Sequence, residues 1–154
     1  MPYVGLIVAH PESRGTLKQR GNTMYGERLS SEQVYALKKR MKAEGFTKLY
    51  GMSFEKTFAA GNGGRTRSLW SYDTPIADYH CWCKQMIIDI YAFRCSRTTI
   101  RHFTEWLKIL GFDGCYDAIK KAAIEEERSQ SKMYTPEPTG EWFDVGKGLS
   151  VTFW

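Results

Sequence analysis

Runs of apolar residues and alternating patterns along the chain predict a mixture of strands and helices. Residues 3–9, YVGLIVA, form a continuous apolar run with the length of a buried strand. The following residues, 10–29, are polar and rich in glycine, which indicates a basic loop. A further strand is predicted over 47–52, and the prolines of 134–140 indicate a connector.

The clearest helix signal begins at Ser30. Ser30 and Gln33 have the spacing of a capping box, in which each side chain accepts a hydrogen bond from the backbone N–H of the other residue. The helix is expected to run to Glu44 and to end at Gly45, because glycine readily takes the left-handed conformation that closes a helix. Its inward stripe consists of Val34, Leu37 and Met41. Its outer side carries the basic residues Lys38, Lys39, Arg40 and Lys42.

Two stretches in the middle of the chain, 68–83 and 86–95, are rich in β-branched and aromatic residues and predict a β-hairpin. Lys84 and Gln85 between them fit a two-residue turn. This register gives one almost wholly apolar face, with these opposed pairs: Cys83 and Met86, Cys81 and Ile88, Tyr79 and Ile90, Ala77 and Ala92. The other face is mixed, which is typical of a sheet with one side partly exposed to water.

Three of the four cysteines lie in or beside this hairpin, and the register argues against a shared zinc site. Cys81 and Cys83 lie on one face, whereas Cys95 lies opposite Thr74, more than about 20 Å away along the strands. Zinc ligands all lie within about 2.3 Å of the ion. No metal or other cofactor is therefore predicted, and Cys81 and Cys83 are expected as buried free thiols.

His80 lies opposite Asp89 in the same register. A carboxylate beside an imidazole fixes its tautomer and raises its basicity, as in an acid–base pair. No activated nucleophile is evident beside the pair, and cross-strand pairs of this kind are commonly structural. No catalytic residue is therefore assigned.

After the hairpin, the pattern predicts a helix that begins at a cap of Ser96 or Thr98 and ends at Gly111. Its inward stripe consists of Ile100, Phe103, Trp106, Leu107 and Leu110. The best candidate for binding an anion is a basic group near the start of this helix. That group consists of Arg94, Arg97 and Arg101, with His102 beside them.

The last part of the chain predicts one more helix, over 117–128, and a terminal hairpin within 141–154. The helix is expected to bury Tyr116, Ile119 and Ala123 and to expose Glu125, Glu126 and Glu127. Trp142 and Trp154 are expected as core anchors or as contacts of a homo-oligomer, rather than as platforms for bases.

Together these elements predict a single domain, 1–154, of the α+β class. A small antiparallel sheet is built on the central hairpin and packed by about three helices on one face. Residues 112–154 form an acidic helix and hairpin extension of this body.

The charge balance bears on the kind of partner. The net charge of +5 is uneven: residues 1–111 hold 17 lysines and arginines against 9 acidic residues, whereas residues 112–154 hold 5 against 8. A basic body suits phosphates or another acidic surface, although a solubilising surface without such a partner gives the same balance. The turn GNGGRTR, 61–67, adds Arg65 and Arg67 but lacks the Lys-Ser/Thr ending of a phosphate-binding loop.

The distribution of apolar residues also bears on location. No apolar run in residues 1–30 has the length of a signal peptide, and no run approaches the length of a membrane span. A cytoplasmic protein with reduced thiols and no membrane partner is therefore expected.

Two short motifs resemble the pattern of a family of small, poorly characterised proteins of phages and other mobile elements. SYDTPIA and SRTTIRH match the pattern S-Y-x-T-x-[VI]-A … S-x-T-T-x-x-H, and the resemblance extends over about a quarter of the chain, 71–110. Its signature positions are Ser71, Tyr72, Thr74, Ala77, Ser96, Thr98, Thr99 and His102. The segment CWCKQMII between the motifs departs from the usual pattern. The resemblance implies an origin in a mobile element with a bacterial host, and it implies no particular reaction.

These observations favour a non-enzymatic accessory protein that binds nucleic acid or a nucleic-acid-handling host complex, including an inhibitor of a host defence such as CRISPR. The predicted binding residues are Arg94, Arg97, Arg101, His102, Arg65, Arg67, Lys38, Lys39 and Lys42. The alternative is a small-nucleotide-binding protein or a small enzyme that uses His80, His102 and the nearby arginines.

Overall fold

The computed structural model describes residues 29–94 and 96–154. The chain divides into two compact units, 1–37 and 38–154. The predicted strand at 3–9 lies outside the described residues, as does nearly all of the predicted basic loop. The assignment of 1–154 to a single domain stays a prediction.

The predicted α+β class is confirmed, with a larger sheet than the sequence indicated. The described helices are α1 Ser31–Ala43, α2 Ile90–Phe93, α3 Arg97–Leu110 and α4 Tyr116–Ser131. The described strands are β1 Thr47–Lys48, β2 Ser53–Ala59, β3 Arg65–Ser71, β4 Thr74–His80, β5 Gln85–Ile88, β6 Phe143–Asp144 and β7 Ser150–Phe153. They form one seven-stranded sheet in the order β1-β2-β3-β4-β5-β7-β6. All neighbouring strands are antiparallel except β5 and β7, which are parallel.

The predicted capping box at the start of α1 is confirmed, and the helix ends at Ala43, one residue before the predicted Glu44. Ser30 N donates to Gln33 Oε1 at 2.8 Å, and Gln33 N donates to Ser30 Oγ at 3.1 Å, which is the reciprocal bonding of a capping box. Gly45 follows the helix with a φ of 89°, and Phe46 N donates to Met41 O across the turn. The strand predicted at 47–52 is shorter, since only β1 and the start of a turn occupy it.

The predicted register of the central hairpin is wrong. A sharp turn at Tyr72, with a φ of 55°, divides the first predicted strand into β3 and β4. The next turn is a four-residue loop, 81–84, because His80 pairs with Gln85 and Tyr79 pairs with Met86. The shift is an even number of residues, so Tyr79 and Met86 still share the core face. The second strand ends early because Asp89 caps α2.

The core lies between one face of the sheet and helices α2, α3 and α4. On the sheet side it is formed by Leu69, Ala77, Tyr79, Met86, Ile88, Val151 and Phe153. On the helix side it is formed by Phe93, Phe103, Trp106, Leu107, Ile119 and Ala123.

Helix α3 begins at the predicted cap, Ser96, whose Oγ accepts from Thr99 N, and ends at Gly111 in the left-handed conformation. In the described part of the chain, no helix combines the length and apolarity needed to cross a bilayer.

The C-terminal elements are close to the predicted helix and hairpin. The buried Ile119 and Ala123 of α4 are confirmed, but Glu126 is fully buried rather than exposed. Its carboxylate accepts bonds from Thr139 N at 2.9 Å and Gln130 Nε2 at 2.6 Å, so it fastens the connector to the helix. Trp142 remains 44% exposed, and the homo-oligomer contact stays a prediction.

Candidate functional site

The predicted binding residues fall into different environments. Arg67 is partly buried and paired: its Nε donates to Glu55 Oε2 at 2.9 Å and its Nη2 donates to Glu55 Oε1 at 3.0 Å. Trp106 Nε1 donates to the same carboxylate at 2.6 Å. Because Glu55 receives all three bonds in a buried position, this cluster joins α3 to β2 and β3 and leaves Arg67 committed to a structural role.

The remaining cations are exposed, and they do not form one group. Lys38, Lys39 and Lys42 lie on the outer side of α1, and Arg65 lies at the start of β3. Arg94 forms an ion pair with Glu127 of α4. Arg97 is exposed in the first turn of α3. Since β3 runs for about 20 Å from Arg65 to Ser71, Arg65 lies at the opposite end of the sheet from the site described next.

His102 and Ser71 form a buried pair at one end of the sheet. Ser71 Oγ lies 2.7 Å from His102 Nδ1, and the exposed fractions are 0% for Ser71 and 3% for His102. Burial, with a smaller contribution from the positive charge of Lys48, lowers the pKa of His102 from 6.5 to about 4. The imidazole is therefore neutral at physiological pH, and the pair fastens α3 to the end of β3.

Three neighbours enclose this imidazole. The ring centroids of Tyr50 and Tyr72 lie 6.3 and 5.9 Å from that of His102. Gly51 passes so close that a Cβ atom there would lie 3.0 Å from His102 Nε2, and its φ of 56° favours glycine as well. His102 was predicted as a binding residue beside the arginines; in the structure it is 3% exposed and lies beneath these neighbours.

The surface above His102 combines aromatic and basic side chains. Arg101 Cζ lies 5.1 Å from the ring centroid of Tyr50, which is within cation–π distance. The Tyr50 residue is 45% exposed, and the Arg101 side chain is 61% exposed. Lys48 is also exposed on β1. We call Lys48, Tyr50, Tyr72 and Arg101 the Tyr50 surface.

Helix α1 reaches the same region through a surface ion pair. Arg40 Nη2 lies 3.6 Å from Asp73 Oδ2, in the turn that carries Tyr72, and Arg40 Nε lies 3.7 Å from Glu44. This pair brings Arg40 of α1 beside the turn that carries Tyr72. Of the predicted binding residues, Arg101 and His102 belong to this region.

The Tyr50 surface includes residues that the sequence interpretation missed. Lys48 and Tyr50 were placed in a plain strand, and nothing was assigned to them. The signal available in the sequence is the short run KLYG, in which a lysine, a tyrosine and a glycine follow one another at the end of a strand. Tyr72 is a signature position of the mobile-element pattern, and its ring centroid lies 5.9 Å from that of His102, a contact that the pattern did not predict.

The second histidine has a different environment. His80 was predicted to pair with Asp89, but Asp89 Oδ1 accepts from the backbone of Tyr91 and Ala92 as the cap of α2. His80 Nδ1 instead lies 3.0 Å from Thr66 Oγ1, and burial lowers its pKa. Thr66 and Ser71 are five residues apart on β3, about 16 Å. The two histidines therefore do not share a site.

Two cysteines of the hairpin, Cys81 and Cys83, are not in the core. Cys81 and Cys83 are exposed in the loop 81–84, which corrects the prediction of buried thiols. The longer loop explains the difference, because neither residue belongs to a paired strand. Cys95 lies outside the described residues. Within the described ranges, no group of three or more histidine, cysteine and acidic residues could hold a metal ion.

A buried carboxyl lies on the opposite face of the sheet from Leu69. Asp78 Oδ1 accepts a hydrogen bond of 2.5 Å from Ser68 Oγ on the neighbouring strand. Burial raises the pKa of Asp78 from 3.8 to about 6, although the Ser68 bond acts in the opposite direction. This pair contributes to the pH dependence of stability.

Comparison with known proteins gives no match: no family model, no curated protein and no solved structure is similar to this chain.

Proposed function

We propose that this protein is a non-enzymatic accessory protein of a phage or mobile element, which acts by binding nucleic acid or a nucleic-acid-handling host complex. Inhibition of a host defence such as CRISPR is one form of this activity. The observation that carries the proposal is the stacking of exposed Arg101 on half-exposed Tyr50, with Lys48 beside them. Aromatic rings interleaved with cations are typical of surfaces that contact bases and phosphates.

The charge distribution supports the same partner. Residues 1–111 carry an excess of basic residues, and α1 adds the exposed Lys38, Lys39 and Lys42. A phosphate backbone attracts such a surface over a distance of about one Debye length, about 8 Å at physiological salt. The resemblance of SYDTPIA and SRTTIRH to mobile-element proteins supports the biological setting.

The burial of the Ser71–His102 pair favours a binding function over a catalytic one. Ser71 has no exposed surface, and a histidine with a pKa of about 4 is a weak general base at neutral pH. A substrate would have to displace the tyrosines to reach either group. The enzyme alternative based on His80 and His102 loses its geometric support, since these residues lie at different ends of β3.

Affinity capture from a bacterial lysate, with and without nuclease, tests the proposal. The protein is compared with the Arg101→Ala variant and with Arg128→Ala, which removes the same charge from an exposed position on α4. We expect the protein to capture nucleic acid or a nucleoprotein complex. Arg101→Ala should reduce the amount captured, and Arg128→Ala should leave it unchanged. Capture that is equal for all three proteins, or absent for all three, would contradict the proposal.

A further inference from the structure

Two tyrosines project from adjacent turns at the same end of the sheet. Tyr50 lies in the turn between β1 and β2, and Tyr72 lies in the turn between β3 and β4. Both rings pack around His102, with centroid distances of 6.3 and 5.9 Å, so the two rings lie no more than about 12 Å apart.

Backbone hydrogen bonds hold these turns in place. Tyr72 N donates to Met52 O at 2.7 Å and ties one turn to the other. Ser53 N donates to Tyr50 O at 3.1 Å, and Ser53 Oγ donates to the same carbonyl at 2.5 Å. The backbone turns that carry the two rings are therefore ordered before any ligand arrives, which lowers the entropic cost of binding.

The charges beside the rings are mostly positive. Lys48 precedes Tyr50 by two residues, and Arg101 lies over its ring. Glu105 Oε1 lies 3.4 Å from Arg101 Nε, but it also lies 3.5 Å from Lys108 Nζ, so its negative charge is shared between two cations. The surface presents an aromatic ring together with a net positive charge.

We propose that the Tyr50 surface binds unpaired nucleotides of a single strand, with a base stacked on the part of the Tyr50 ring that Arg101 leaves exposed and the phosphates held by Arg101 and Lys48. This inference rests on the proposed function and narrows its ligand. In a duplex the bases stack on one another and their faces are closed, so a duplex uses only the cations. A single strand uses both the ring and the cations.

Fluorescence anisotropy with two labelled probes tests the inference: a thymidine oligonucleotide of about 12 residues and a duplex of the same length. We expect the single strand to bind more tightly than the duplex. Tyr50→Ala should weaken binding of the single strand about tenfold and binding of the duplex by less than twofold. Tyr50→Phe keeps the ring and should keep the affinity. Tyr134→Ala, at a fully exposed tyrosine outside the site, should change neither.

Two further measurements separate a binding defect from a folding defect. Thermal unfolding of each variant checks that the fold is retained. Photocrosslinking of a bromouridine-substituted strand to the unmodified protein, followed by mass spectrometry, should place the adduct on the peptide that contains Tyr50. Replacement of Arg101 by alanine should lower the slope of log affinity against log salt by about one for either probe.

The outcomes distinguish this inference from the proposed function. Equal binding of the two probes with no effect of Tyr50→Ala, or a crosslink on a distant peptide, overturns the single-strand inference and leaves nucleic-acid binding intact. If neither probe binds, the inference is overturned, and the lysate capture decides the proposed function independently.

Discussion

Ser71 Oγ and His102 Nδ1 are joined by a buried hydrogen bond of 2.7 Å between residues that are 31 positions apart in the chain. The bond connects the end of β3 to the first half of α3. It holds the imidazole on which Tyr50 and Tyr72 pack. The geometry of the Tyr50 surface therefore depends on a polar contact that is buried from solvent.

Replacement of Ser71 by alanine should destabilise the protein. The substitution leaves His102 Nδ1 buried without its partner, and an unsatisfied buried polar group costs roughly 1–3 kcal/mol. Urea denaturation should show this decrease in the free energy of unfolding. Ser150→Ala, at a half-buried serine on β7, provides the control and should change it by less than about 0.5 kcal/mol. Equal effects of both substitutions would argue against a special role for the Ser71 bond.

Protonation of His102 should make the protein less stable in acid. Its pKa is about 4 in the folded protein and about 6.5 in the unfolded chain, so the unfolded chain takes up the proton first. The stabilising contribution is fully present above pH 6.5 and is lost as the pH falls through about 4. NMR titration of the His102 ring should give the low pKa directly. A ring that titrates near 6.5 would show that the imidazole is accessible to water.

Asp78 should have the opposite effect on stability. Its pKa of about 6 exceeds the ordinary value of 3.8, so the folded protein holds the proton more tightly than the unfolded chain. The contribution is fully present below pH 3.8 and is lost as the pH rises through about 6. Asp78→Asn keeps an acceptor for Ser68 and removes the buried charge.

Asp78→Asn should therefore raise the free energy of unfolding at pH 7.5 by up to about 3 kcal/mol, and by much less at pH 4. Thermal unfolding at the two pH values measures the difference. Asp144→Asn, at an exposed carboxyl on β6, serves as the control. A variant that is destabilised equally at both pH values would show that ionisation of Asp78 does not destabilise the folded protein at pH 7.5.

Removal of the charge on Glu55 should be strongly destabilising. Glu55 is buried and binds both the partly buried Arg67 and Trp106 Nε1, so Glu55→Gln weakens charge-assisted hydrogen bonds at a cost of roughly 1.5–3 kcal/mol. Glu127→Gln breaks the exposed pair with Arg94 and should cost less than about 1 kcal/mol. Chemical denaturation of the two variants makes the comparison. Similar losses would indicate that water reaches the Glu55 cluster.

Helices with local end signals were predicted well from the sequence. The capping box at Ser30, the cap at Ser96 and the terminating Gly45 and Gly111 all depend on residues a few positions apart, so a short window contains the whole signal. The same locality accounts for the correct placement of the buried stripe Phe103, Trp106 and Leu107. The α+β class followed from the combination of these helices with the central hairpin.

The strand register could not be predicted in the same way. Tyr72 adopts a left-handed turn without glycine, so the division between β3 and β4 has no ordinary turn signal. Asp89 accepts hydrogen bonds from the first backbone N–H groups of α2, so β5 ends before it. The residue pattern does not reveal that Asp89 caps a helix instead of continuing the strand. The burial of Glu126 likewise depends on Thr139, in a connector that has no periodic pattern.

The candidate site was only partly predictable for the same reason. Arg101 and His102 were selected from their helix, but Lys48 and Tyr50 come from a distant part of the chain. Burial of His102 depends on β3 and on the turn at Gly51, which the sequence does not place beside the helix. Long-range contacts of this kind are set by the complete fold.

The parallel pairing of β7 with β5 has a consequence for how the protein folds. Met86 pairs with Val151 and Ile88 pairs with Phe153, across a separation of about 65 residues. Contacts between residues so far apart form late, because closing the intervening loop costs conformational entropy before the contact contributes any stabilising energy. Until β7 docks, β5 presents an open edge and the apolar Met86 and Ile88, so newly made chains are most prone to aggregate in that interval.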